Sequence, residues 1–148
     1  PVRRIDLIVI HCSATREDRP FTEQDLETAH RLRGFDGTGY HFYVRRNGDI
    51  KSTRLVERVG AHVRGHNANS IGICYEGGLD CHGLAKDTRT EWQKHSLRVL
   101  VRALKMDYPE AKVVGHRDLS PDINENGEVE PMEWTKECPC FEVGEERW

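Results

Sequence analysis

Eight histidines and five cysteines stand out in a chain of 148 residues, and their placement matters more than their number. His11 ends the apolar run 5–11 (IDLIVIH), and His116 ends the shorter run 112–116 (KVVGH). Further on, Cys138 and Cys140 flank Pro139. Two imidazoles and one thiolate make a three-ligand zinc site with an open fourth position, which is the catalytic rather than the structural arrangement. The first two ligands would lie 105 residues apart, and Cys138 a further 22 residues on. No local metal motif has that spacing, so the tertiary fold would have to assemble the site. Taken singly, each histidine reads more simply as an ordinary core or surface residue.

The other motifs narrow the chemistry. An odd number of cysteines leaves at least one thiol unpaired in a monomer, and Cys-Pro-Cys is too short for a comfortable disulfide. Cys74, inside the apolar run 70–75 (SIGICY), reads as a buried strand thiol. The chain contains no H-E-x-x-H helix, no G-x-S-x-G elbow and no G-x-x-x-x-G-K-[ST] loop. That argues against the common zinc-protease, serine-hydrolase and phosphate-loop chemistries.

The elements that must position these residues follow from periodicity. The run 5–11 is nearly continuous and β-branched, as in a buried central strand. Thr22 and Asp25 suggest a capping box, with Leu26, Ala29, His30 and Arg33 on helical spacing and Gly34 as a stop. Segments 40–45 and 49–53 flank Arg46, Asn47 and Gly48, which predicts a hairpin with a type I′ turn at Asn47-Gly48. Residues 56–62 suggest a short strand, and 70–76 a further one closed by Gly77 and Gly78. Thr88 and Glu91 suggest a second capping box. Behind it, Trp92, Leu97, Leu100, Val101 and Leu104 form an apolar stripe on the longest helix, which should end before Pro109. Interleaved strands and helices predict an α/β fold in one domain, 1–148, with a central mixed sheet flanked by helices.

Composition excludes several partner classes. With 22 basic against 25 acidic side chains the net charge is −3, so a strongly basic nucleic-acid binder is not expected. No apolar run reaches the roughly 18 residues of a membrane span. No signal peptide is visible, and a chain starting at Pro1 leaves the cellular location open.

Five segments together resemble the zinc-dependent N-acetylmuramoyl-L-alanine amidases, a family that includes amidase-type phage lysozymes and peptidoglycan recognition proteins. They are 8–14 (IVIHCSA), 39–43 (GYHFY) with Asn47-Gly48, 60–62 (GAH) through 67–73 (NANSIGI), 113–121 (VVGHRDLSP) and 136–141 (KECPCF). They occur in the family's order and span almost the whole chain. The resemblance implies a zinc site in a surface groove, with His11, His116 and Cys138 as ligands. It prefers Cys138 because Lys136, Cys138, Pro139 and Phe141 fit a Lys-x-Cys-Pro-x-Phe frame that leaves Cys140 on a variable position. It implies catalytic roles for Tyr40 and Lys136, and a place for His62 in the substrate groove. The implied activity is hydrolysis of the amide between N-acetylmuramic acid and L-alanine of peptidoglycan, as in a phage or prophage endolysin. The implied protein is a monomer with no nucleic-acid or membrane partner. The alternative is a recognition domain that binds peptidoglycan without cutting it; such members typically lack the cysteine ligand.

One segment departs from the phage lysozymes. Residues 122–133 (DINENGEVEPME) match the calcium-loop pattern D-x-[DN]-x-[DN]-G-x5-E. Asp122, Asn124, Asn126, Glu128 and Glu133 would supply the oxygens and Gly127 the turn. Pro131 is unusual in such a loop, and a polar Asn-Gly turn is the simpler alternative.

Overall fold

The computed structural model describes residues 3–120 and 137–148. In chain order the elements are β1 (Leu7–Cys12), β2 (Thr15–Arg16), α1 (Glu23–Leu32), β3 (Phe42–Val44), β4 (Ile50–Ser52), β5 (Ser70–Tyr75), β6 (Gly78–Leu79), α2 (Glu91–Asp107) and β7 (Lys112–Gly115). Short 3₁₀ turns cover Asn67–Asn69, His116–Leu119 and Val143–Glu145.

β1 is central because it is buried on both faces, as its unbroken apolar run requires. β5 and β7 pair with it in parallel on either side. β3 continues the parallel sheet beyond β5, and β4 closes the edge antiparallel to β3, giving the order β4-β3-β5-β1-β7. β2 and β6 form a separate parallel pair.

Alternation along the strands sorts the two faces. Ile8 and Ile10 of β1 join Ile71 and Ile73 of β5 beneath Leu97, Leu100, Val101 and Leu104 of α2. Truncating the fully buried Leu97 to alanine would cost about 2–5 kcal/mol. On the opposite face Leu26 of α1 packs with Tyr43 and Cys74. The mixed sheet therefore carries one helix on each side, as expected, and Cys74 is the buried strand thiol.

Three local readings are corrected: the second capping box, the β3–β4 turn and the 56–62 strand. The second capping box is Thr90 with Gln93, while the Thr88 hydroxyl accepts the Gly78 N–H at 2.8 Å. Starting the helix there turns Trp92 outward, 69% exposed, and buries Gln93, whose amide donates to the carbonyls of Val44 and Glu76. The β3–β4 connection is a three-residue loop, because Arg45 N–H donates to Asp49 O at 2.8 Å across it. Its left-handed residue is Gly48 (φ 92°), not Asn47, whose side-chain oxygen instead accepts the Asp49 N–H. Residues 56–62 form no strand, since their N–H groups go to single partners: Ala61 to Gly39 O, His62 to the Asn67 side chain. Finally, Lys136 and the calcium-loop candidates Asp122, Asn124, Asn126, Glu128 and Glu133 lie outside the described residues.

Candidate active site

The two candidate histidine ligands sit at the carboxyl ends of neighbouring strands of the central sheet. His11 is the fifth residue of β1 and is 1% exposed. His116 follows β7 directly and opens the 3₁₀ turn His116–Leu119. Because β1 and β7 are parallel neighbours, Ile10 pairs with Gly115 and the next residue of each strand is a histidine. Their rings lie 4.6 Å apart between centroids. Ligand sites at the carboxyl ends of parallel strands are general in α/β sheets.

Cys138 arrives from a different direction and is held by backbone contacts. The Arg117 N–H donates to Cys138 O at 2.9 Å, and the Tyr75 hydroxyl donates to Pro139 O. Gly115 is required here by close approach, since a Cβ would meet Pro139 Cδ at 2.9 Å. Arg89 fastens the following turn, with its guanidinium 3.4 Å from the Phe141 ring centroid and paired to Asp87 and Glu146. The result is a cluster in which one nitrogen of His11, one of His116 and the Cys138 sulfur all lie within 4.8 Å of one another. The Cys12 N–H donates to Cys138 Sγ at 3.1 Å, which helps to hold the sulfur in place.

The remaining thiols are engaged elsewhere. Cys12 Sγ lies 3.9 Å from Cys140 Sγ, and Cys140 donates to Gly78 O. The Cys138 contact and burial push the Cys12 thiol up to about 12, against the Cys140 contact, which lowers it. Among the described residues the cluster thus offers three candidate ligand atoms, which would leave a bound metal an open position.

Tyr40 stands beside the cluster, its ring 4.9 Å from that of His11 and 5.4 Å from that of His30. Its backbone is fixed by the hydroxyls of Thr38 and Thr53, both donating to Tyr40 O. Burial raises the phenol well above its ordinary pKa, so the hydroxyl stays protonated and able to donate. His116 and Cys138 of the cluster line one cavity of about 210 Å³ together with Tyr40, His30, Arg33 and His62. Arg33 lies over the Phe35 ring at its rim.

The fold therefore brings His11, His116, Cys138, Tyr40 and His62 close together. Sequence reasoning missed a layer of supporting groups. His30 accepts the Gly39 N–H on Nδ1 at 2.8 Å, and burial lowers its pKa. His41, fully buried, accepts the Gly72 N–H on Nδ1 and faces Arg58 O with Nε2. Burial lowers His41 to about 4 and His62 to about 3, so both are neutral near pH 7. A histidine on the inner face of a helix or next to Gly39-Tyr40 carried no signal that separated such roles from plain core packing.

Comparison with known proteins agrees with this geometry. The N-acetylmuramoyl-L-alanine amidase family profile matches residues 1–140. The endolysin of Escherichia phage T7 is 33% identical over 143 residues, covering 97% of this chain and 84% of that protein. A Haemophilus influenzae protein without an assigned function is 47% identical over 97 residues, covering 66% of this chain and 84% of its own length. Among solved structures, the N-acetylmuramoyl-L-alanine amidase LysC from Clostridium intestinale superposes with a TM-score of 0.73 at 29% identity, covering 95% of this chain and 80% of that one. Drosophila PGRP-LB, at 22% identity and a TM-score of 0.69, covers 93% of this chain and 75% of its own and shares the fold. The chain belongs to the N-acetylmuramoyl-L-alanine amidase family.

Proposed function

We propose that this amidase is zinc-dependent and hydrolyses the amide linking the lactyl group of N-acetylmuramic acid to L-alanine of the peptidoglycan stem peptide. The observation that carries the proposal is the convergence of His11, His116 and Cys138 within 4.8 Å, with His116 and Cys138 at the wall of a cavity shared with Tyr40. Two imidazoles and a thiolate suit zinc, whose bonds of about 2.0–2.3 Å fit a cluster of this size. When bound in a three-ligand site, zinc supplies a polarising charge and lowers the pKa of water to about 7.

The protein's own groups do the rest. The cavity confines the scissile amide beside the ligands and restricts water, so each fixed dipole acts at low dielectric. Tyr40, protonated, donates a hydrogen bond to the attacking water or to the carbonyl oxygen as negative charge develops on it. Lys136, by the resemblance, brings a positive charge to the same oxygen. Arg33 at the rim is placed to meet an acidic group of the stem peptide. A pure recognition role is less favoured, because the chain carries Cys138 and Tyr40, which match the cysteine and tyrosine of the cutting members.

The test is turnover of a defined muramyl-peptide followed by mass spectrometry, comparing the wild type with Cys138→Ala. Release of a stem peptide bearing a free L-alanine amine, lost in the variant, is expected. A zinc-loaded wild type that binds muramyl-peptides and releases nothing would sink the enzyme reading and leave a recognition domain.

A further inference from the structure

His62 makes a contact that substrate binding does not require. Its Nδ1 lies 2.9 Å from Nε2 of His11, and its Nε2 lies 3.1 Å from the Ser70 hydroxyl. We propose that His62 is a positioning residue for the metal centre: it accepts the Nε2–H of His11 and so fixes the tautomer that offers Nδ1 to the metal. This rests on the zinc reading above.

The chemistry selects one direction through the three groups. A neutral imidazole has one donor and one acceptor nitrogen. If His11 donates from Nε2, His62 accepts on Nδ1, carries its proton on Nε2 and donates to Ser70. The reversed order places a proton on His11 Nδ1, where it would block ligation. Partners that hold the second nitrogen of a ligating histidine orient its ring and raise its basicity.

The surroundings are built to keep His62 there. The Asn67 side-chain oxygen accepts both the His62 and Val63 N–H groups at 2.9 Å, fixing the backbone. Gly72 lies behind the ring, where a Cβ would sit 2.7 Å from His62 Cγ. At Gly60 a Cβ would come within 2.8 Å of His62 Cδ2. Gly60, His62, Asn67, Ser70 and Gly72 are thus parts of one device that holds a single ring in one orientation.

The experiment measures zinc affinity by competition with a chromophoric chelator, with folding checked by circular dichroism. His62→Ala is expected to weaken zinc binding by about 10- to 100-fold. His62→Asn, whose amide oxygen can stand near the Nδ1 position, should recover most of that loss. Ser70→Ala should cost several-fold less than His62→Ala. Independently, ¹⁵N-histidine NMR of the zinc-loaded wild type should show both His11 and His62 protonated on Nε2, which tests the idea even if a variant fails to fold. An affinity in His62→Ala within twofold of wild type overturns the proposal. So does an Asn variant no tighter than the Ala variant, which would reduce His62 to packing, or a His62 protonated on Nδ1. A wild type that binds no zinc would instead overturn the zinc reading itself, along with this inference.

Discussion

His41 gives the fold a calculable sensitivity to acid. It is completely buried, its Nδ1 accepts the Gly72 N–H at 3.0 Å, and its Nε2 lies 2.8 Å from Arg58 O. Burial dominates its titration, with the Arg3 and Arg54 charges acting the same way and the Arg58 carbonyl opposing, and its pKa falls from 6.5 to about 4. A depressed histidine stabilises the folded state fully above the unfolded pKa. That contribution is lost as pH falls toward the folded pKa, because the unfolded chain takes up a proton that the folded one refuses. Between pH 7.5 and pH 4.5 these two values give a loss of about 2.5 kcal/mol. His41→Asn keeps an acceptor for Gly72 and removes the titration. It should cost about 1–3 kcal/mol at pH 7.5, since the Arg58 carbonyl loses its donor. Its stability should nonetheless fall by about 2.5 kcal/mol less than that of wild type on acidification. His62 leaves some residual acid sensitivity in both proteins. Urea unfolding at the two pH values, with chelator present so that zinc release does not contribute, measures the difference directly. If wild type and variant lost the same stability to within about 0.5 kcal/mol, the reasoning from His41 burial would be refuted.

Three further outcomes are expected. Cys138→Ala should lose stoichiometric zinc by elemental analysis and all turnover while its far-ultraviolet circular dichroism is retained, because the sulfur lies at the cavity wall rather than deep in the core. Tyr40→Phe removes one donor from the site, so kcat should fall by about 10²–10³ with KM little changed; a kcat within threefold of wild type would rule out a catalytic role for the hydroxyl. Arg89→Met strips the ion pairs to Asp87 and Glu146 and the contact with Phe141. Asp87 and Glu146 keep partial solvent contact, so the loss by thermal unfolding should be about 2–3 kcal/mol. Zinc affinity should weaken with it, because the same turn carries Cys138.

The sequence by itself determined the parts whose cause is local. The run 5–11 could only be a strand covered on both faces, and the Thr22–Asp25 box with Gly34 set the limits of α1. Two strands each leading into a histidine, with Cys138 and Cys140 beyond, offered a candidate zinc set, and the family resemblance singled out His11, His116 and Cys138 from it. What the sequence could not carry was whatever depends on which groups meet across the chain. The second helix is capped two residues later than expected, at Thr90, because the Thr88 hydroxyl is taken by Gly78 N–H, a partner ten residues back. Residues 56–62 form no strand because their backbone donors are claimed singly by Gly39 and Asn67. His11 and His116 become neighbours only because β1 and β7 pair in parallel in the register that sets Ile10 against Gly115. His62 acquires its contact with His11 only because Gly60 and Gly72 leave room for its ring. Residue type fixes what a side chain can donate or accept; the tertiary structure alone decides which atom stands opposite.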